Sequence, residues 1–109
     1  MIRLLLVVLI LLLVSLPAWA ADLVCTQTAD QVSVVYRAAD GSQLRVCFDL
    51  KREQVTVRLP DGKLVQLPAA LSGSGARYSD GTRTFWEHQG AGRYFEHDAL
   101  LFEGAVEQH

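Results

Sequence analysis

Clustered basic residues, a helical hydrophobic period, closely spaced cysteines and internal repeats are all missing from this sequence, and each absence excludes something. Ten basic residues against twelve acidic ones give a net charge of −2, with no Lys/Arg cluster. Nucleic acid is therefore not an expected partner, because phosphate binding draws on concentrated positive charge. The only cysteines are Cys25 and Cys47, and neither belongs to a C-x-x-C pair; a redox or zinc pair would need closer spacing or more ligands. His88, His97 and His109 match no zinc spacing and read as exposed histidines near turns and in the tail, so no metal and no cofactor is expected. The Gly-rich run Ser72–Gly75 is followed by neither Lys-Ser/Thr nor a helix, which excludes a phosphate-binding loop. There is no low-complexity segment and no second domain.

What the chain does have begins with a leader. Arg3 precedes an almost unbroken apolar run from Leu4 to Leu16, and Pro17 then leads into Ala18-Trp19-Ala20, an A-x-A cleavage pattern. Residues 1–20 read as a signal peptide and residues 21–109 as one domain delivered to the periplasm, with no membrane span after cleavage. The alternative is an uncleaved membrane anchor, for which the apolar run is short against the ~20 residues of a spanning helix. Loss of Arg3 takes the charge from −2 to −3, which suits a basic partner. Outside the cytoplasm an even cysteine count reads as a disulfide, here Cys25 to Cys47. Closing such a loop stabilises a small core by roughly 3 kcal/mol.

The exported part reads as short strands and tight turns. Gln31 to Tyr36 is rich in β-branched residues and is ended by Asp40-Gly41. Leu44, Val46 and Phe48 alternate with polar neighbours, as do Val55, Val57 and Leu59, the period-2 pattern of a half-buried strand. Leu64 to Leu67 returns after Pro60-Asp61-Gly62, Arg77 to Ser79 and Thr82 to Trp86 flank Asp80-Gly81, and Arg93 to Phe95 and Ala99 to Phe102 flank Glu96-His97-Asp98. Pro68 to Gly75 is the main irregular stretch, and Glu103 to His109 reads as a loose polar tail. The expected class is all-β: a small antiparallel barrel of eight strands, since closure removes exposed edges.

Chemistry concentrates between Ser72 and His88, SGSGARYSDGTRTFWEH. A hairpin needs only Asp80-Gly81 and alternating side chains. Gly73 and Gly75 go further and free the backbone around Ser74, putting a small hydroxyl on an exposed loop. Ser74, His88 and a carboxylate such as Asp80 form no nucleophile elbow, and so small a barrel offers little pocket to exclude water; binding is expected, not catalysis. Phe85 and Trp86 adjoin on one strand and so point to opposite faces.

The run Leu67-Pro68, Ser72 to Ser79, Asp80-Gly81 and Phe85-Trp86, with Tyr36, Asp40-Gly41, Phe48, Val55 to Leu59 and Asp61-Gly62 upstream, resembles the bacterial inhibitors of c-type lysozyme, the MliC/PliC family. The resemblance covers roughly residues 33 to 90. It implies an eight-stranded barrel in the periplasm or on the outer membrane whose loop enters the lysozyme cleft. It implies also that a serine and a lysine reach the two catalytic carboxylates, both of which glycoside hydrolysis requires. By position these are Ser74 and His88, with Tyr78, Gly73 and Gly75 supporting the loop and Arg77 as a nearby cation. His88 stands where the family has lysine, and an imidazole with an ordinary pKa of about 6.5 is mostly neutral at pH 7. The family's usual cysteine two residues after Tyr36 is Ala38 here, so the Cys25–Cys47 staple differs. The partner so implied is a c-type lysozyme; self-association into a homodimer is left open. The alternative is a non-inhibitory envelope barrel with a structural or small-ligand role.

Overall fold

The structure, a computed structural model, describes Cys25 and residues 29–107. The expected signal peptide at 1–20, the expected start of the mature chain at Ala21, and His109 lie outside the described residues. Among those described there are eight strands and no helix: β1 (Gln31–Arg37), β2 (Gln43–Asp49), β3 (Gln54–Arg58), β4 (Leu64–Ala70), β5 (Ala76–Ser79), β6 (Arg83–His88), β7 (Ala91–Glu96) and β8 (Ala99–Val106). Each pairs antiparallel with the next and β8 returns to β1, giving the closed barrel expected from the sequence.

The period-2 pattern decides what fills the barrel. Leu44 and Val46 of β2, Val55 and Val57 of β3 and Leu67 of β4 are fully buried, while Arg45, Thr56 and Gln66 between them point outward. Each such side chain contributes about 1.5–3 kcal/mol on leaving water. Aromatic rings complete the interior: Tyr36 and Phe48 lie 5.6 and 6.0 Å from Phe85 between ring centroids. Tyr36 also lies against Gly92 of β7, where a Cβ would come within 2.8 Å of the ring. Cys47 alternates to the outside of β2, yet it is buried there together with Cys25, to which it is disulfide-bonded. The expected pairing is therefore present, joining residues 22 apart in sequence.

Two expectations about strand extent need correction. The irregular stretch does not begin at Pro68, since β4 runs on to Ala70. Proline is tolerated there because Ala69 N–H points to the β3 side, donating to Glu53 O at 2.9 Å. The missing Pro68 N–H would therefore face β5, whose pairing with β4 starts only at Ala69. Nor is Glu103 to His109 a loose tail over its described part. β8 extends to Val106, Glu107 N–H donates to Val35 O at 2.8 Å, and the Glu107 carboxylate pairs with Arg37. Gly104 is what permits this closure. A Cβ there would lie 2.6 Å from the Arg37 carbonyl oxygen.

Connections alternate between the two barrel ends. The turns after β1, β3, β5 and β7 share one end; the 71–75 loop after β4 and the Gln89-Gly90 turn after β6 share the other. Gln89 and Gly90 both take positive φ, 51° and 82°, as a two-residue hairpin turn twisted with its strands requires.

Candidate functional site

The loop between β4 and β5 is convex and solvated: Leu71 to Gly75 are all exposed, Leu71 by 96%. Its shape comes from three contacts. Ser72 Oγ donates to Ser74 O at 2.5 Å and accepts from Ser74 N–H at 3.3 Å, a local serine turn. Trp86, on β6, donates its indole Nε1–H to the same Ser74 carbonyl at 3.0 Å. Gly75 takes φ +69°, and a Cβ there would stand 2.2 Å from Glu87 O and 3.0 Å from His88 Cβ. The loop therefore lies directly on the last turn of β6, and Gly75 is the residue that lets it.

This geometry brings Ser74, Gly75 and His88 together at one barrel end, as the sequence segment implied. The Ser74 hydroxyl has no partner among the described residues, because its neighbours hold the carbonyl and the N–H instead. His88 closes β6 opposite Ala91 and is half-buried; the reading of His88 as an exposed histidine near a turn gives way to a strand end covered by the loop. His97, in contrast, is exposed in its turn. Gly73 has an ordinary φ and open space around it, so the loop needs Gly75 more than Gly73.

The remaining expected residues occupy two faces of the β5–β6 pair. Tyr78 pairs with Phe85 and points into the barrel, its ring centroid 5.9 Å from Phe48. It anchors β5 below the loop. Arg77 pairs with Trp86 on the outer face and shares with it, Thr84 and Phe95 a shallow depression of about 170 Å³. Glu87 alternates inward, opposite to His88, and accepts from Gly90 N–H at 3.1 Å. Burial first, and then the Glu87 carboxylate, push the Tyr36 and Tyr78 hydroxyls above the ordinary tyrosine range, so both rings stay neutral in the wall beneath the loop.

Sequence reading missed two parts of this site. Trp86 was placed on the face opposite Phe85, but nothing local says that its indole reaches the Ser74 carbonyl twelve residues back. Leu71, hidden in an apparently polar loop, is the most exposed of the large apolar side chains among the described residues. No three His, Cys, Asp or Glu side chains converge in metal-binding geometry among the described residues. What the arrangement offers is a held backbone and an uncommitted hydroxyl, with His88 packed against the neighbouring Gly75.

A family profile described as MliC, membrane-bound lysozyme-inhibitor of c-type lysozyme, matches residues 25–100. Over 62 residues the chain is 36% identical to the membrane-bound lysozyme inhibitor of C-type lysozyme from Yersinia enterocolitica serotype O:8 / biotype 1B (strain NCTC 13174 / 8081). That alignment covers 57% of this chain and 52% of the relative, so the match spans about half the length of the curated protein. No solved structure matches the chain.

Proposed function

Because this chain belongs to the MliC family of lysozyme inhibitors, we propose that it inhibits a c-type lysozyme by presenting the Ser72–Gly75 loop to the enzyme's active-site cleft. One observation carries this reading: the Ser74 backbone is fixed from outside the loop by Trp86 while its hydroxyl stays uncommitted and solvated. A binding group already held in place loses less entropy on association. Glycoside hydrolysis works through two carboxyl groups, one of which must donate a proton. A hydroxyl and an imidazole from this barrel end would occupy both and exclude the sugar. Tyr78 and Gly75 support the loop, and Arg77 adds positive charge on the outer face. The protein acts here as a stoichiometric ligand and not as a catalyst.

Export to the periplasm accompanies this reading. The leader pattern of residues 1–20 and the oxidised Cys25–Cys47 pair support it. A periplasmic barrel of net charge −3 would meet a basic lysozyme with favourable long-range attraction.

The test is titration of the exported protein against a c-type lysozyme at pH 6 and pH 7.5, read as loss of cell-wall lysis. Inhibition at micromolar protein is expected at both pH values, and His88→Lys, which places a fixed cation at the end of β6, should strengthen it at pH 7.5. Absence of inhibition at both pH values would favour the non-inhibitory envelope role. No gain in His88→Lys would remove His88 from the contact and leave Ser74.

A further inference from the structure

The outer wall of the barrel below the Ser74 loop holds a depression to which the inhibitory reading gives no occupant. Strands β5, β6 and β7 put Arg77, Trp86 and Arg93 in one cross-strand row and Ser79, Thr84 and Phe95 in the next. These side chains lie on the outer face, because Tyr78, Phe85 and Tyr94 between them pack into the core. Past β7 the chain turns through His97 and Asp98, both at positive φ, 50° and 66°, in a two-residue hairpin turn. Arg77, Thr84, Trp86, Phe95 and Asp98 together line a shallow depression of about 170 Å³.

Its lining is chemically mixed. Trp86 and Phe95 are aromatic and half-buried, and Trp86 is held in place by the indole N–H that it donates to Ser74 O at 3.0 Å. The ionic groups are one cation and one anion, Arg77 and Asp98. Neither makes an ion pair or a side-chain hydrogen bond among the described residues, whereas Arg37, Arg83 and Arg93 each have a carboxylate partner. The Thr84 hydroxyl, 2.9 Å from Ser79 Oγ, adds a group that both donates and accepts. An anion would meet Asp98 and a cation would meet Arg77, so neither is matched. A purely apolar ligand would cover both charges without offering them a partner.

We propose that this depression binds the pyranose ring of a saccharide. A pyranose is neutral, presents C–H groups on its faces and carries hydroxyls around its edge. The C–H groups suit the electron-rich faces of Trp86 and Phe95. The hydroxyls donate to the Asp98 carboxylate and accept from the Arg77 guanidinium, and the volume admits about one ring. A free sugar and one unit of a glycan chain present the same chemistry. The site does not depend on lysozyme inhibition, so either reading can fail alone.

The experiment uses the purified protein expressed from the full chain. Trp19 and Trp86 are its only tryptophans, and Trp19 lies in the leader pattern, so the indole fluorescence of the exported protein follows Trp86. N-acetylglucosamine is titrated in, with glycerol as a non-cyclic polyol control and sodium acetate as a control for simple pairing with Arg77. In parallel the protein is sedimented with insoluble peptidoglycan. A saturable change at roughly millimolar sugar is expected, as for a small ligand at a shallow site. Asp98→Gly removes the carboxylate at a positive φ that glycine adopts readily. The melting temperature should therefore hold while affinity falls about tenfold, the loss of a charge-assisted contact. Arg77→Gln should weaken binding similarly, and Arg52→Gln, on the exposed β2–β3 turn, should bind as the parent does. Co-sedimentation that is lost in Asp98→Gly identifies the glycan chain as the source; a response to the sugar without co-sedimentation identifies the free saccharide. The proposal is overturned if neither sugar probe responds, if glycerol or acetate gives the same change, or if Asp98→Gly or Arg77→Gln binds as well as the parent.

Discussion

Two connections flank β5, and they are built on opposite plans. The Asp80–Thr82 turn after it is held by its own side chains. Asp80 Oδ1 accepts from Thr82 and Arg83 N–H at 2.9 and 2.7 Å, and Ser79 Oγ accepts from Gly81 N–H at 3.1 Å. The Asp80 carboxylate and the Ser79 hydroxyl are consumed in making the turn. The Ser72–Gly75 loop before β5 has one serine turn of its own but is also held from outside, by the Trp86 indole on the Ser74 carbonyl and by the fit of Gly75 against Glu87 and His88. Its Ser74 hydroxyl is left over. A segment can be fixed in shape and still offer a binding group when part of the fixing comes from elsewhere, and this barrel supplies that part from β6.

Both connections contain a glycine at positive φ, Gly75 at +69° and Gly81 at +93°, which gives the sharpest test of the contrast. Alanine at Gly81 meets nothing within 4 Å and should cost about 1–2 kcal/mol, the left-handed backbone alone. Alanine at Gly75 adds the clash with Glu87 O, so its cost should exceed that of Gly81→Ala and bring the total above about 2 kcal/mol. Denaturant melts of the two variants measure the difference, and equal costs would mean the loop does not sit on β6. Gly75→Ala should also impair lysozyme inhibition, whereas Gly81→Ala should not.

Ser74→Ala separates shape from contact. It should weaken lysozyme binding by about 0.5–1.5 kcal/mol, or more if the hydroxyl meets a charged carboxylate, and leave the melting temperature unchanged. A drop in stability would show that the hydroxyl serves the loop after all. Trp86→Phe removes the indole donor and keeps the ring, so inhibition should weaken by about 1 kcal/mol. Most of that loss is expected in the association rate, because the loop would have to be ordered on encounter.

The smallest expected effect belongs to the self-held turn. The Arg83 and Thr82 N–H groups hold the Asp80 carboxyl below the usual carboxylate range. A carboxyl whose folded-state pKa is depressed binds fewer protons folded than unfolded. Its stabilisation is therefore complete above the unfolded value of about 3.9 and is lost as pH falls below it toward the folded value. The melting temperature should fall in that window, and Asp80→Asn should flatten part of the fall. Inhibition measured near neutral pH should not change with it.

Much of this could be read from the chain. Val55-Thr56-Val57 and Leu44-Arg45-Val46 announce strands because alternation is a property of a few neighbouring residues. The Cys25–Cys47 pairing needed only two cysteines and an oxidising compartment. The Ser74 loop and His88 were found through the resemblance, and the fold puts them side by side. Less visible were the ends of strands. Gly104 gives no sign of its role until the approach of the β1 backbone is known, and Pro68 looks like a stop until the direction of its absent N–H is known. Trp86 gave no sign of its hydrogen bond, since the carbonyl it reaches lies on another connection.

Sequence alone was enough for the class of structure, the closed barrel, the inward and outward faces of β2 and β3, the disulfide and the family. These follow from local backbone sterics, period-2 patterning and short motifs, which act within a few residues. It took the folded barrel to show that β8 runs on to Val106, that Gly75 rests on His88 and that Trp86 holds Ser74. Those depend on strand register around a closed barrel, which brings distant segments to atomic contact and is set by all eight strands at once.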